Sequence, residues 1–233
     1  MHPLDGAYEQ VRGAREHLDS LRPDIQDFAK VVTNGVSLNY EERIVKINGV
    51  MRRVPMGTAS ATVNLPAPLR VSRLIGEVVR NLRSALDFLI YELACFDAKA
   101  IVERTQFVIV DSEKEFREQK WHLRGLSGEH IAAFERLQPY HPGCQWTGIL
   151  RDLSNPANHK HLTTVRSPVT IAISGDNTEA ILAGKHVDVN SYASVQIAFS
   201  NGVPVIEGLE QLVLDVAHSL DAFKSEFQGP LIR

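Results

Sequence analysis

The residues most able to do chemistry are concentrated in one stretch, Arg151-Asp152-Leu153-Ser154-Asn155-Pro156-Ala157-Asn158-His159-Lys160-His161. In extended backbone His159 and His161 project to the same face, the spacing of a two-histidine metal clamp, and neutral imidazole suits a divalent transition metal such as zinc, iron, nickel or copper. A third ligand would have to come from elsewhere, with Asp87, Glu77 and Asp215 as the candidates, because HExxH and ExxH patterns are absent. Without a metal the same residues suit general acid-base work. A histidine titrating near neutral pH, beside Lys160 and oriented by the carboxylate of Asp87, is a proton carrier. Arg80 or Arg83 would hold an anionic substrate, and Ser84, Tyr91, Asn155 and Asn158 would add neutral hydrogen bonds to it. The competing reading is structural: Asn, Ser and His at a helix-to-strand junction also satisfy backbone groups that need partners.

Such a site needs a scaffold, and the stretch from Leu65 to Phe96 supplies its axis. Ile75, Val79, Leu82, Leu86, Leu89 and Leu93 recur at steps of four and three, and Leu74, Val78, Ala85 and Ile90 widen that seam, so this helix requires neighbours on more than one side. Opposite runs a polar line, Arg73, Glu77, Arg80, Ser84, Asp87 and Tyr91, flanked by Asn81 and Arg83. This line is either a solvated face or the floor of a site that the Asn155-to-His161 stretch closes, with Asp87 and His161 within about 15 Å of each other.

The other elements follow from period and punctuation. Leu4, Tyr8, Val11, Leu18, Leu21, Ile25, Phe28 and Val32 keep a heptad-like register through Pro23, which predicts one long kinked helix or two coaxial pieces meeting near Ser20. That seam also offers an isologous surface for a homodimer. Asn48-Gly49 between IVKI and VMRRV is a hairpin signal, TASATVNL extends it, and Pro66-Ala67-Pro68 starts the central helix. Thr105 to Val110 reads as a buried extended segment, Ser112 with Glu115 as a capping box, and Ser127 as the cap of a helix that Pro139 stops. Beyond Leu162 the period returns to two, with Asn201-Gly202 turning into a strand at VPVIE, before an amphipathic helix from Leu209 to Phe227. The expected fold is one α+β domain over residues 1–233: a helical bundle around a long central helix with a mostly antiparallel β-sheet packed on one side.

Composition narrows the function classes. The 233 residues are 44% hydrophobic and 23% charged with a formal net charge of -3 and pI near 6.3, which disfavours duplex DNA as a partner. No basic-then-apolar leader and no run of about 18 apolar residues is present, which predicts a cytosolic protein without a membrane partner. Cys95 and Cys144 read as reduced thiols. GxSxG, Walker and GxGxxG motifs are absent. His141 with Cys144 lacks a third group, His122 and His130 read as surface or capping residues, and Asp215 with His218 reads as a local pair at i, i+3.

Taken in order, GEVVRNLRSALDFLIYELA, TQFVIV, LQPY and LRDLSNPANHKHL resemble a group of uncharacterised bacterial proteins over roughly residues 70–165. In that group a histidine follows the Asp of the LRSALD run, and the later motif ends Asp-Lys-His-Arg. Here Phe88 and His159-Lys160-His161-Leu162 stand in those places. A looser resemblance is to HEPN-type helical nucleases, which place an Arg with a His four to six residues later to cleave RNA. Arg83 would point to Phe88, which cannot act as a base, and Arg151 to His159 has a longer gap. Three functions follow: a cytosolic hydrolytic or acid-base enzyme on a small polar or anionic molecule, a HEPN-like ribonuclease or toxin component acting on RNA, and a non-catalytic ligand-binding or interaction protein.

Overall fold

The computed structural model describes residues 2–33, 39–47, 49–58, 67–155, 163–165 and 196–227. They form two compact units, the first from Met1–Asp24, Pro66–His161 and Val205–Arg233 and the second from Ile25–Leu65 and Leu162–Pro204.

In the first unit the central helix α2, Leu69–Ala98, starts where Pro68 leaves the extended region and its carbonyl accepts the amide of Ser72 at 3.1 Å. All ten apolar positions of its wide arc are buried. The helix ends at Lys99, whose φ of 54° breaks the helical geometry. Helix α1, Asp5–Thr33, runs uninterrupted through Pro23, and Ser20 bonds back to the Glu16 carbonyl just before that proline.

Three pairings fix how α1 lies on α2. Gly6 faces the ring of Phe88, Gly13 faces the amide of Asn81, and Asp24 bonds Arg70 at 2.6 Å. Partner numbers fall as those on α1 rise, and each pair sums to 94, the mark of an antiparallel helix pair in one register. The two glycines lie one heptad apart on the face of α1 turned toward α2. Helix α6, Val205–Phe223, crosses α1 in the same sense. The Tyr8 hydroxyl donates to Asp221 at 2.6 Å, and Arg22 pairs with Glu210. Both helices run against α1, so α2 and α6 run parallel, and Phe96 meets Phe227 edge-on at 5.4 Å at their C-terminal ends. Of the heptad seam expected to offer itself to a second copy, Leu4, Val11, Leu18 and Leu21 are buried within this chain and Tyr8 is half-buried.

The segment after α2 closes that bundle. Helix α3, Glu113–Gln119, opens on Ser112, whose hydroxyl accepts the Glu115 amide, while the Glu115 carboxylate reaches back to the amide of Asp111. Helix α4, Gly128–Arg136, is capped by Ser127, and α5, Gln145–Leu153, follows the Pro-Gly loop. Gly125, between α3 and α4, has a φ of 85°, and a Cβ there would stand 2.8 Å from Val102 Cγ2. Gly125→Ala is therefore expected to destabilise by about 2 to 4 kcal/mol, left-handed strain added to overpacking. Gly143 has a φ of 84° with nothing near the added methyl, so Gly143→Ala should show the strain alone, about 1 to 2 kcal/mol. Equal losses in denaturant titrations of the two variants would discard the steric part.

The strands belong to the second unit. β1, Asn39–Ile47, pairs antiparallel with β2, Val50–Thr58, in the register Ile47↔Val50, which leaves the two-residue Asn48-Gly49 connection that the sequence predicts. β3, Thr163–Val165, pairs with β4, Gln196–Ala198, and TASATVNL beyond Thr58 lies outside the described residues. The α+β expectation is corrected here. The described residues are mostly helical, the strands form two separate pairs, and no larger sheet joins them among the described residues. One reason is visible at Asn201-Gly202. The turn forms, with Phe199 donating to the Val203 carbonyl at 2.9 Å, yet VPVIE does not continue as a strand. Val205 instead opens α6, because Val205, Leu209, Leu212, Val213 and Val216 make a helical stripe that is buried whole. No helix of the described residues is long and apolar enough to cross a membrane.

Candidate functional site

Phe107 to Val110 form a buried extended strap that pairs with no strand among the described residues, and their backbone groups are met by side chains. Two residues of the polar line on α2 provide them. The Phe107 amide donates to Asp87 Oδ1 at 2.8 Å, and the Phe107 carbonyl accepts from Arg83 Nη2 at 3.1 Å. One turn of helix, Arg83 to Asp87, thus grips both ends of a single residue. Gln138, fully buried, does the same from beyond α4. Its Oε1 accepts the Val110 amide at 3.0 Å and its Nε2 donates to the Val108 carbonyl at 2.9 Å. Burial pushes the Asp87 carboxyl above its ordinary range, opposed by the Phe107 amide and the charge of Arg83, and burial also lowers the Arg83 guanidinium.

The strap's two anchors face two different cavities. The first, of about 410 Å³, is lined by Ser72, Arg73, Gly76, Val79, Arg80 and Arg83 of α2 and by Leu153 and Ser154 at the end of α5. The second, of about 400 Å³, is lined by Ser84, Asp87, Phe88 and Tyr91 of α2 and by Val102 to Thr105. Arg83 Nη1 is buried without a hydrogen-bond partner, although the other terminal nitrogen is bound to Phe107. A buried guanidinium nitrogen with unmet donors is costly, so its burial has to be offset by the rest of the packing. Arg80, on the wall of the first cavity, pairs with Glu77 at 3.0 Å, and its side chain is 68% exposed. What the arrangement offers chemically is concentrated positive charge over a partly apolar wall.

The residues expected to form one site are thus divided. Arg80 and Arg83 share the first cavity, while Ser84, Asp87 and Tyr91 share the second. Asn155 is exposed at the end of α5, next to Ser154 on the wall of the first. Asn158, His159, Lys160 and His161 lie outside the described residues, and with them the histidine metal clamp and its distance from Asp87. Among the described residues no group of three or more His, Cys, Asp and Glu is placed to hold a metal ion. Asp87 serves the strap first, a role the sequence does not announce. Asp87→Asn keeps the acceptor for Phe107 and removes the charge, so it should fold. The wild-type carboxyl, raised by burial, holds its proton more tightly when folded than unfolded. It therefore adds stability as pH falls from above its folded pKa toward the ordinary aspartate range. Acid titration of stability should lose this component in Asp87→Asn, and identical pH profiles would contradict the assignment.

His130 differs from its surface or capping expectation. It is buried, its Nδ1 stands 2.6 Å from Asp97 Oδ2, and Asp97 also accepts the Ser127 amide at 2.7 Å. Glu226 lies 3.8 Å from its Nε2, so the imidazole ties α2, α4 and the C-terminal turn. The Ser127 hydroxyl accepts the His130 amide as a helix cap, so the three polar groups do structural work. Sequence offered only the Ser127 cap as a clue. Asp215 takes Gln211 at 3.0 Å in place of a pairing with His218. The Phe88 ring, in the place where the HEPN pattern wants a base, lies over Gly6. Comparison with family models, curated proteins and solved structures finds no match.

Proposed function

We propose that the protein is a cytosolic enzyme of hydrolytic or acid-base type, acting on a small anionic molecule held by Arg73, Arg80 and Arg83. A cavity lined by three arginines, one of them fixed to the strap through the Phe107 carbonyl, is the observation that carries this reading. An arginine already anchored through one nitrogen loses little rotational freedom when an anion binds near it. His159 and His161, five and seven positions after Ser154 in the sequence, are assigned the proton transfers.

The test is hydrolysis of p-nitrophenyl esters bearing an anionic group, followed by nitrophenolate release. His161→Ala is expected to abolish turnover and leave the thermal melt in place. Cys144→Ala should change neither, because the Cys144 thiol donates to the Arg136 carbonyl at 3.1 Å, and burial together with the charge of Asp215 pushes its pKa up, away from a nucleophilic thiolate. A fully active and well-folded His161→Ala protein would remove the acid-base role, whatever the arginines bind.

A further inference from the structure

We infer that the turn end of the β1–β2 hairpin docks on an anionic phospholipid surface, its apolar side chains entering the interface and its cations meeting the headgroups. The hairpin belongs to the second unit, and this inference is independent of the arginine cavity. Val50 and Met51, the first residues of β2, are 55% and 63% exposed, and Ile44 on β1 is 58% exposed. Single exposed apolar side chains are ordinary, whereas several at one end of one hairpin make a patch. Gly49 turns between the strands with a φ of 85°, and a Cβ added there would meet nothing within 4 Å among the described residues, so the turn has room to enter another phase. The charge around this patch is of one sign. From Arg43 to Val54 the sequence holds Arg43, Lys46, Arg52 and Arg53 and no acid, in a chain whose formal net charge is -3. Glu41 and Glu42 stand just beyond Arg43, and after each offsets one cation the hairpin still keeps two positive charges. Register interleaves the two kinds of residue, with exposed Lys46 opposite Met51 and Arg53 opposite Ile44. At about 3.3 Å per strand residue, Val50 and Met51 lie within about 7 Å of the turn and Arg52 and Arg53 at about 10 to 13 Å. An apolar face seats about 5 to 10 Å into the boundary between headgroups and acyl chains, so the cations come to rest at the level of the lipid phosphates. A nucleic acid would satisfy the cations alone. No aromatic residue lies between Arg43 and Val54 to stack on an unpaired base, and a phosphate backbone gives Ile44, Val50 and Met51 no apolar partner. The expectation of no membrane partner came from the lack of a spanning segment, which a hairpin seated in the interface does not need.

Vesicle flotation with the full chain tests this, using vesicles of phosphatidylcholine alone, vesicles with phosphatidylserine as about a third of the lipid, and a short RNA duplex in a parallel titration. The chain should float with the phosphatidylserine vesicles and not with phosphatidylcholine alone. Arg52→Gln with Arg53→Gln should weaken that binding by roughly 30-fold, the effect of removing two cations from an anionic surface. Val50→Thr with Met51→Thr keeps residues that favour strands and every charge, and should weaken it by at least about tenfold through lost apolar contact. Thermal melts and circular dichroism matching wild type in both double variants tie these losses to the surface and not to unfolding. The Val50→Trp protein should gain blue-shifted emission on phosphatidylserine vesicles, which reads entry into the interface directly. Equal binding to the two kinds of vesicle, or to neither, would overturn the inference. A Val50→Thr, Met51→Thr protein that floats like wild type would overturn the apolar insertion. RNA bound more tightly than the phosphatidylserine vesicles, and equally well by the threonine variant, would overturn it in favour of a nucleic acid.

Discussion

Gln138→Leu is expected to lower stability by roughly 2 to 6 kcal/mol, because two buried strap groups, the Val110 amide and the Val108 carbonyl, lose their partners at about 1 to 3 kcal/mol each. Leucine fills nearly the same space, so little of this loss comes from a cavity. The Phe134 carbonyl, which Gln138 Nε2 also meets at 3.1 Å, keeps the Leu137 amide and is not orphaned. A shorter amide gives a graded control: Gln138→Asn keeps the chemistry but withdraws it by one methylene, and should fall between wild type and leucine. Urea titration with an unchanged slope is the measurement. A loss below about 1 kcal/mol for Gln138→Leu would mean the strap finds other partners, and that its observed bonds are not what holds it.

Arg83→Lys should weaken binding of a small anionic probe, phenyl phosphate, by about 10- to 100-fold at nearly unchanged stability, and Arg83→Leu should abolish binding with a stability loss of about 1 to 3 kcal/mol. The guanidinium holds the Phe107 carbonyl through Nη2, and the anion proposed for the cavity would meet the remaining positive charge. A lysine ammonium reaches the carbonyl or the ligand with its single nitrogen, so the variant keeps the strap and gives up the fork. Leucine leaves the carbonyl bare as well. Calorimetry for binding and denaturant titration for stability separate the two roles, and an Arg83→Lys protein that binds phenyl phosphate like wild type would place the anion elsewhere.

These residues also show what a sequence discloses and what it hides. The two-sided apolar arc of α2, the hairpin at Asn48-Gly49 and the caps at Ser112 and Ser127 were legible, because each rests on side chains within a few positions of one another. Arg83 and Asp87 were legible as polar residues four apart. Their shared target was not, since a backbone amide and carbonyl carry no residue type to recognise. His130 was misplaced for a related reason: the carboxylate that buries it, Asp97, is 33 positions away. The β-rich reading of residues after Leu162 failed at VPVIE, where β-branched residues serve a helix, because local preference yields to the face that must be covered. The division of the α2 polar line between two cavities follows from where the strap crosses it, which no periodicity encodes.

The bond between Tyr8 and Asp221 joins residues 213 positions apart. During synthesis the N-terminal helix can zip onto α2 early, yet its flank toward α6 waits for almost the whole chain to emerge, roughly 10 to 40 s at ribosomal speeds. Throughout that interval Leu18 and the α2 face destined for α6 stand bare. A chain that stops before Val205 therefore lacks the helix that covers this face and leaves it exposed to other chains.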